Sequence, residues 1–169
     1  MAKVQKSTNL TGTWYALAVA RVLLGLTFLW AFFDKLFGLG VSTPAAKAWL
    51  QGGSPTAGFL KGVHGPFADL FHAISGQGWA DWLFMLGLLG IGAALLFGVA
   101  IRLATTSGVI LLFMMWMASL PIKTNPLIDD HLVYATVLVA ICYGLSQQKW
   151  SLASWWQKLS FVKQNRWLW

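Results

Sequence analysis

Between Trp14 and Phe37 the chain reads WYALAVARVLLGLTFLWAFFDKLF, with Arg21, Asp34 and Lys35 as its charged residues. As a helix rising about 1.5 Å per residue this run measures about 36 Å, enough to cross a hydrocarbon core of about 30 Å. Three further apolar runs follow, at 79–101, 103–122 and 127–145. In lipid only helices and closed barrels satisfy their own backbone groups, so such a pattern makes the bilayer the first solvent to consider. The composition agrees: 57% of the 169 residues are hydrophobic and 10% charged, where soluble domains average about 25% charged. Four spans of about 20 residues consume roughly half the chain and leave no room for a separate soluble catalytic domain. The expected fold is all-α. An integral membrane four-helix bundle (residues 1–148) would carry a folded extracytoplasmic loop (38–78) between helices 1 and 2, and the tail (149–169) would form a cytoplasmic interfacial helix.

The charges orient this arrangement. Lys3, Lys6, Arg102, Lys149, Lys158, Lys163 and Arg166 fall on one side without an acid, while Lys35, Lys47, Lys61 and Lys123 share the other with all five Asp. Cytoplasmic loops carry the excess of Lys and Arg, so both termini are expected in the cytoplasm. The basic start resembles a signal peptide, but the apolar run is too long and no A-x-A site follows, which reads as a retained anchor. Asn125 is expected to cap the fourth span, with Pro126 in its first helical position and Asp129, Asp130 and His131 in its first turn. The long loop carries Thr43-Pro44, Ser54-Pro55 and Gly65-Pro66, then a run in which Phe67, Leu70, Phe71 and Ile74 share a helical face. It reads as a cap across the outer mouth of the bundle. In the tail, Leu152, Trp155, Trp156 and Leu159 form one helical face among cations, suited to anionic lipids at the membrane surface. Nucleic acid is not an expected partner, because a segment tied to a membrane helix already has lipid beside it.

Several chemistries are excluded. The single cysteine, Cys142, allows no internal disulfide, C-x-x-C pair or thiolate cluster. His64, His72 and His131 lie outside the middle of any span and lack ligand spacing, so neither haem nor a metal is expected. There is no Gly-rich phosphate loop and no G-x-S-x-G elbow. Gly90, Ala94 and Gly98 repeat every four residues and make a smooth stripe for close packing, within the bundle or in a homo-oligomer.

Two places remain for function. Arg21 lies about 10 Å inside the first span, where it either snorkels to the headgroups or turns inward to bind a polar headgroup or a carbonyl. Arg21, Gly25, Phe28, Phe32 and Lys35 share one face, with the two cations about 21 Å apart and so unable to act on one small molecule. At the outer end, Asp34 and Lys35 close the first span, Asp129, Asp130 and His131 open the fourth, and Tyr134 lies one turn below Asp130. Trp30 and the run Met114, Met115, Trp116, Met117 lie slightly deeper. One reading is an aromatic belt over a helix cap, with a Lys35–Asp130 ion pair. The other is a site for an amphipathic ligand such as a quinone, its head held by Asp130, His131 or Lys35, with His131 or an Asp exchanging protons.

The segments ARVLLGLTFLWAFFDKLFG and NPLIDDHLVYATVLVAI resemble the first- and fourth-helix signatures of the DoxX superfamily of four-helix membrane proteins. More narrowly, FLKGVHGPFADLF and DWLFMLGLLGIGAALLFGVAIRLA resemble its DoxD type, the membrane subunit of thiosulfate:quinone oxidoreductase. The likeness runs from Ala20 to about Gly144. It implies a multi-pass protein of a bacterial or archaeal cell membrane, a companion redox subunit that handles the sulfur compound outside the membrane, and quinone as electron acceptor. It points to Arg21, Lys35, Asp130, His131 and Tyr134 as site residues. A non-catalytic scaffold for soluble redox or thiol-stress enzymes, and a small lipid or solute carrier, are the alternative readings.

Overall fold

The computed structural model describes residues 2–123 and 125–169, with side chains from residue 10 onward. Lys3 and Lys6, two of the cations that orient the chain, are outside the described side chains. The described residues are helical and turn structure throughout: α1 (Ala2–Phe37), α2 (Ala57–Lys61), α3 (Ala68–Ile74), α4 (Gly78–Phe97), α5 (Ile101–Ser119), α6 (Asp130–Tyr143), α7 (Ala153–Trp156) and α8 (Ser160–Gln164), with short 3-10 turns between them. Three helices are long and apolar enough to cross a membrane: α1 from Leu10 to Phe37, α4 and α5, with mean hydropathies of 2.0, 1.9 and 1.6. At 14 residues, α6 is about 21 Å long, shorter than a hydrocarbon core.

Helix α4 packs on α1 and α5, and α6 packs on α5 and α1, closing a ring. Leu24, Phe28 and Phe32 of α1 meet Met85, Leu88, Ile91 and Leu95 of α4, with Ile101, Ala104 and Leu112 of α5 and Leu138 and Ile141 of α6 completing the core. Two ends can be distinguished. The cap end carries Lys35, Asp81 and Asp129, and the tail end carries Gly98, Gly144 and residues 149–169.

Helix ends depart from the apolar runs for local reasons. Helix α4 stops at Phe97 rather than 101 because Gly98 adopts a left-handed conformation (φ 68°, ψ 37°), and the Val99 N–H returns to the Ala94 carbonyl at 3.0 Å, a glycine stop. Helix α5 starts at Ile101 and ends at Ser119, two residues before Pro121, as the restriction on residues preceding proline requires. The cap of α6 is Asp129, whose carboxylate accepts from the N–H groups of His131 and Leu132. Asn125, the expected cap, instead accepts from Leu127 and Ile128 at 3.0 Å each, closing a turn in the connection.

Two expectations about the ends are corrected. The tail is not one interfacial helix: it breaks into α7, α8 and a 3-10 turn and folds back on the bundle. The Leu152 N–H donates to the Phe97 carbonyl and the Arg102 N–H to the Trp169 carbonyl, both at 2.8 Å, which occupies backbone groups left over at a helix end and a helix start. Within α3 the buried face is Phe71, with Phe67 and Ile74 beside it, against Leu60, Val63 and Ala118; Leu70 is 55% exposed. That cluster lies to one side of α3, so the apolar arc narrows to the residues meeting α2 and the end of α5.

The close helix approach also lies elsewhere than the Gly90 stripe. A Cβ on Gly25 would sit 2.8 Å from the Leu96 nitrogen and 3.0 Å from the Gly92 carbonyl oxygen, whereas one on Gly90 would meet nothing within 4 Å. Gly25 and Gly92 thus let α1 and α4 cross backbone to backbone. Gly25→Ala should therefore cost about 1–3 kcal/mol through overpacking, and Gly90→Ala should cost nothing. Thermal unfolding of the two variants in mild detergent tests the contrast, and equal midpoints would place the contact elsewhere.

Candidate functional site

Apolar side chains dictate that a ligand site in this chain be a gap between helices, and a gap of that kind opens at the cap end between α4 and α5. It measures about 390 Å³, in the range of small-molecule sites. One wall is Trp79, Leu83, Phe84, Gly87 and Ile91 of α4, the facing wall Ile110, Leu111, Met114 and Met115 of α5, and the roof Phe59, Leu60, Phe71 and Ile74 of the cap. From Trp79 to Ile91 the α4 wall extends for about 18 Å, more than half a span. Lys35 of α1 is the one charged residue in the lining, with Thr56 and Ser107 as its hydroxyls. The lining is therefore long and apolar, with a single cation at the cap end.

The roof is held by Asp81, in the first turn of α4. Its buried carboxylate accepts from the Ser54 hydroxyl at 2.8 Å, the Thr56 hydroxyl at 2.6 Å and the Thr56 N–H at 3.1 Å, while the Ser54 oxygen accepts from the Ala57 N–H at 3.0 Å. One carboxylate thus fixes the start of α2 over the cavity. The sequence signal for it was Ser54-Pro55-Thr56 ahead of a short helix, with an Asp waiting at the head of the next long one. Gly87, on the cavity wall, was legible only as a glycine in an apolar run.

Of the residues marked from the sequence, the cavity takes Lys35 together with Met114 and Met115. Lys35 forms no ion pair among the described residues; it lies on the α1 face that meets α4 and not beside Asp130 of α6. Asp34 is 1% exposed, and its carboxylate accepts from the Val41 N–H at 3.2 Å, the Ser42 N–H at 3.1 Å and the Ser42 hydroxyl at 2.5 Å. It fastens the loop that leaves α1. Trp30 is 53% exposed on the outer side of α1. The Trp116 indole N–H donates to the Leu127 carbonyl at 2.9 Å and bridges the α5–α6 connection. Tyr134 packs at the margin of the core.

Asp129, Asp130 and His131 form a separate group at the head of α6, with ligand atoms within 4.8 Å of one another. His131 Nδ1 is 2.7 Å from Asp129 and 3.7 Å from Asp130, and the Ser119 hydroxyl donates to Asp129 at 3.1 Å. Asp129 precedes the helix. Its carboxylate also accepts from the Leu132 N–H at 3.3 Å. These bonds already use Asp129 as the helix cap. Neither Asp130 nor His131 lines the cavity.

Arg21 occupies the other end of the molecule. It is 1% exposed and turned inward, which decides between snorkelling and an interior role. Its Nη1 donates to the Leu95 carbonyl at 2.6 Å and the Leu96 carbonyl at 3.3 Å, and its Nη2 to the Lys149 carbonyl at 3.1 Å and the Trp150 carbonyl at 2.7 Å. The first pair are the open carbonyls at the end of α4, where a cation is favoured. Gly98 makes room for it, since a Cβ there would strike Nη1 and Ser151.

Comparison with protein-family models, with curated proteins and with solved structures finds no match.

Arg21 is therefore structural in this arrangement. Arg21→Gln, which cannot reach both carbonyl pairs, should cost on the order of 3 kcal/mol and loosen the tail while leaving the cap-end cavity intact. Thermal unfolding together with trypsin cleavage of the tail checks this; a variant of unchanged stability would return Arg21 to the candidates for ligand binding.

Proposed function

We propose that this chain is a multi-pass membrane protein in which α1, α4, α5 and the shorter α6 all take part in crossing the bilayer, with the tail end cytoplasmic, and that it binds a quinone in the capped cavity as the membrane subunit of a DoxX-like, quinone-linked oxidoreductase. The observation that carries the reading is the cavity: about 390 Å³ of apolar and aromatic lining with one cation, Lys35, at its cap end. An amphipathic ligand with an acceptor at its head and a hydrocarbon tail suits that lining. A bound quinone supplies reversible two-electron, two-proton carrier chemistry. Lys35 would donate a hydrogen bond to a head-group oxygen, Phe59, Phe71 and Phe84 would lie against an aromatic ring, and the cap would keep water from it. The connections at either end of α6 extend its 14 residues toward a full crossing, and the positive-inside distribution supports the orientation.

The tail supports the same placement. Trp150, Trp155 and Trp167 are exposed among Lys149, Lys158, Lys163 and Arg166, the composition of a surface resting on anionic lipid. In this reading the companion subunit at the cap side oxidises the donor, thiosulfate by resemblance.

One observation favours a second reading. Lys35 has no ion-pair partner among the described residues, and Leu83, Ile110 and Met114, which line the cavity, are also exposed at the surface of the bundle. These features suit a carrier of an anionic single-headed lipid.

Organic extraction and mass spectrometry of the gently purified protein separate the readings. A stoichiometric quinone supports the redox subunit, an acidic lipid the carrier, and a retained protein partner without either ligand the scaffold. Gly87→Leu fills the cavity from a position where an added Cβ meets nothing within 4 Å, and Lys35→Met removes the charged donor. Each should lower bound ligand by about tenfold or more, the equivalent of one charge-assisted hydrogen bond or several buried methylenes. Asp130→Asn should leave it unchanged. A ligand lost with Asp130→Asn and kept with Gly87→Leu would move the site to the head of α6.

A further inference from the structure

A smaller cavity at the tail end plays no part in the ligand reading. It holds about 10 Å³, space for about one water molecule. Its walls include Trp14, Ala18 and Arg21 of α1, Ile141 of α6, and Gln148 and Lys149 where the tail begins. A guanidinium carries five N–H groups. Four sit on the two nitrogens that reach the carbonyls of Leu95, Leu96, Lys149 and Trp150. The fifth, on Nε, is buried with no partner among the described residues, and so are both polar atoms of the Gln148 amide. The two side chains that carry these three atoms both line this cavity, and buried polar groups in folded proteins are as a rule hydrogen-bonded.

We propose that this cavity is a binding site for a single water molecule, which accepts a hydrogen bond from Arg21 Nε–H and exchanges hydrogen bonds with the Gln148 amide. The occupant's chemistry follows from the lining. It has to accept from Nε–H and also to donate, because Gln148 Oε1 is only an acceptor. Water does both, a halide accepts only, and a carboxylate or phosphate exceeds the space. No Asp or Glu lines the cavity, so no protein carboxylate fills the role.

The placement gives the water a task. Arg21 belongs to α1, and Gln148 is the residue just before the two whose carbonyls Arg21 already holds. The water therefore adds a third fastening between α1 and the start of the tail. A change confined to the Gln148 amide removes this fastening alone, so it is the point at which the tail's docking can be weakened without unfolding the bundle.

A structure of the full chain in lipid, at a resolution that shows ordered water and with chloride replaced by bromide, tests the site. The expected result is a density peak at hydrogen-bond distance, about 2.7–3.2 Å, from Arg21 Nε and a Gln148 amide atom, without bromide anomalous signal. A bromide signal would make it an anion site. A dry cavity with the Gln148 amide turned to a protein partner would also overturn the proposal. The variant Gln148→Leu, which removes the amide and fills the space, should be cut by trypsin at Lys158 several times faster than the parent while the bundle stays folded. An unchanged rate would mean that a water there does not fasten the tail.

Discussion

A guanidinium in apolar surroundings holds the tail end of this protein together. Where α4 stops at Gly98, the carbonyls of Leu95 and Leu96 in its last turn have no helical partner. Arg21 of α1 brings donors to that depth, and its second nitrogen holds Lys149 and Trp150, so one side chain fixes the end of α4 and the point where the tail departs. The arrangement needs a residue without a Cβ at position 98, since a side chain there would occupy the guanidinium's place. One turn further along α1, Gly25 meets Gly92, and the backbones approach closely enough for Arg21 to reach across. A cation that looks unfavourable in the sequence is in this way the residue that satisfies backbone elsewhere.

At the cap end three carboxylates do the comparable work. Asp34 fastens the chain leaving α1, Asp81 fastens the start of α2, and Asp129 caps α6. Each accepts from backbone N–H groups and neighbouring hydroxyls, a stabilising arrangement for a carboxylate removed from water. The long loop is consequently tied at both ends of its first half, and α2 and α3 are held over the space between α4 and α5. The cavity follows from this tethering: the roof is anchored to α1 and α4, and the gap beneath it extends along α4 as far as Ile91.

How much of this was legible varies with the kind of signal. Helix positions followed from apolar length, and the alternating order of the long helices from their connections. Which faces meet did not, because a membrane helix is apolar all round and its period cannot distinguish a packed face from a lipid-facing one. Gly90 and Gly92 sit in the same run, yet one faces open space and the other a helix backbone. Trp30 and Phe32 are likewise neighbours in an apolar stretch, one exposed and one buried. The tail misled for another reason. Its helical pattern was real over single turns, but backbone bonds to Phe97 and Arg102 outweighed a continuous helix. The four acceptors of Arg21 are backbone carbonyls, which leave no trace in residue identities.

The ring of polar residues read from the sequence and the cavity in the structure meet at Lys35, and hydrogen-bond capacity explains why. Most polar groups at that end already have backbone partners: Asp34 the loop after α1, Asp129 the first turn of α6, and Trp116 the Leu127 carbonyl. A group engaged in this way has little left to offer a ligand without undoing local structure. Asp130 keeps its capacity but lies exposed, where water competes for it. Lys35 is different: half-buried, without an ion-pair partner among the described residues, and in the wall of an apolar cavity large enough for a small molecule. In low dielectric an unpaired ammonium favours whatever acceptor reaches it. A ligand that brings an oxygen to Lys35 and hydrocarbon to the α4 and α5 walls improves both surfaces at once, so the ligand reading belongs to this cavity rather than to the more conspicuous cluster at the head of α6.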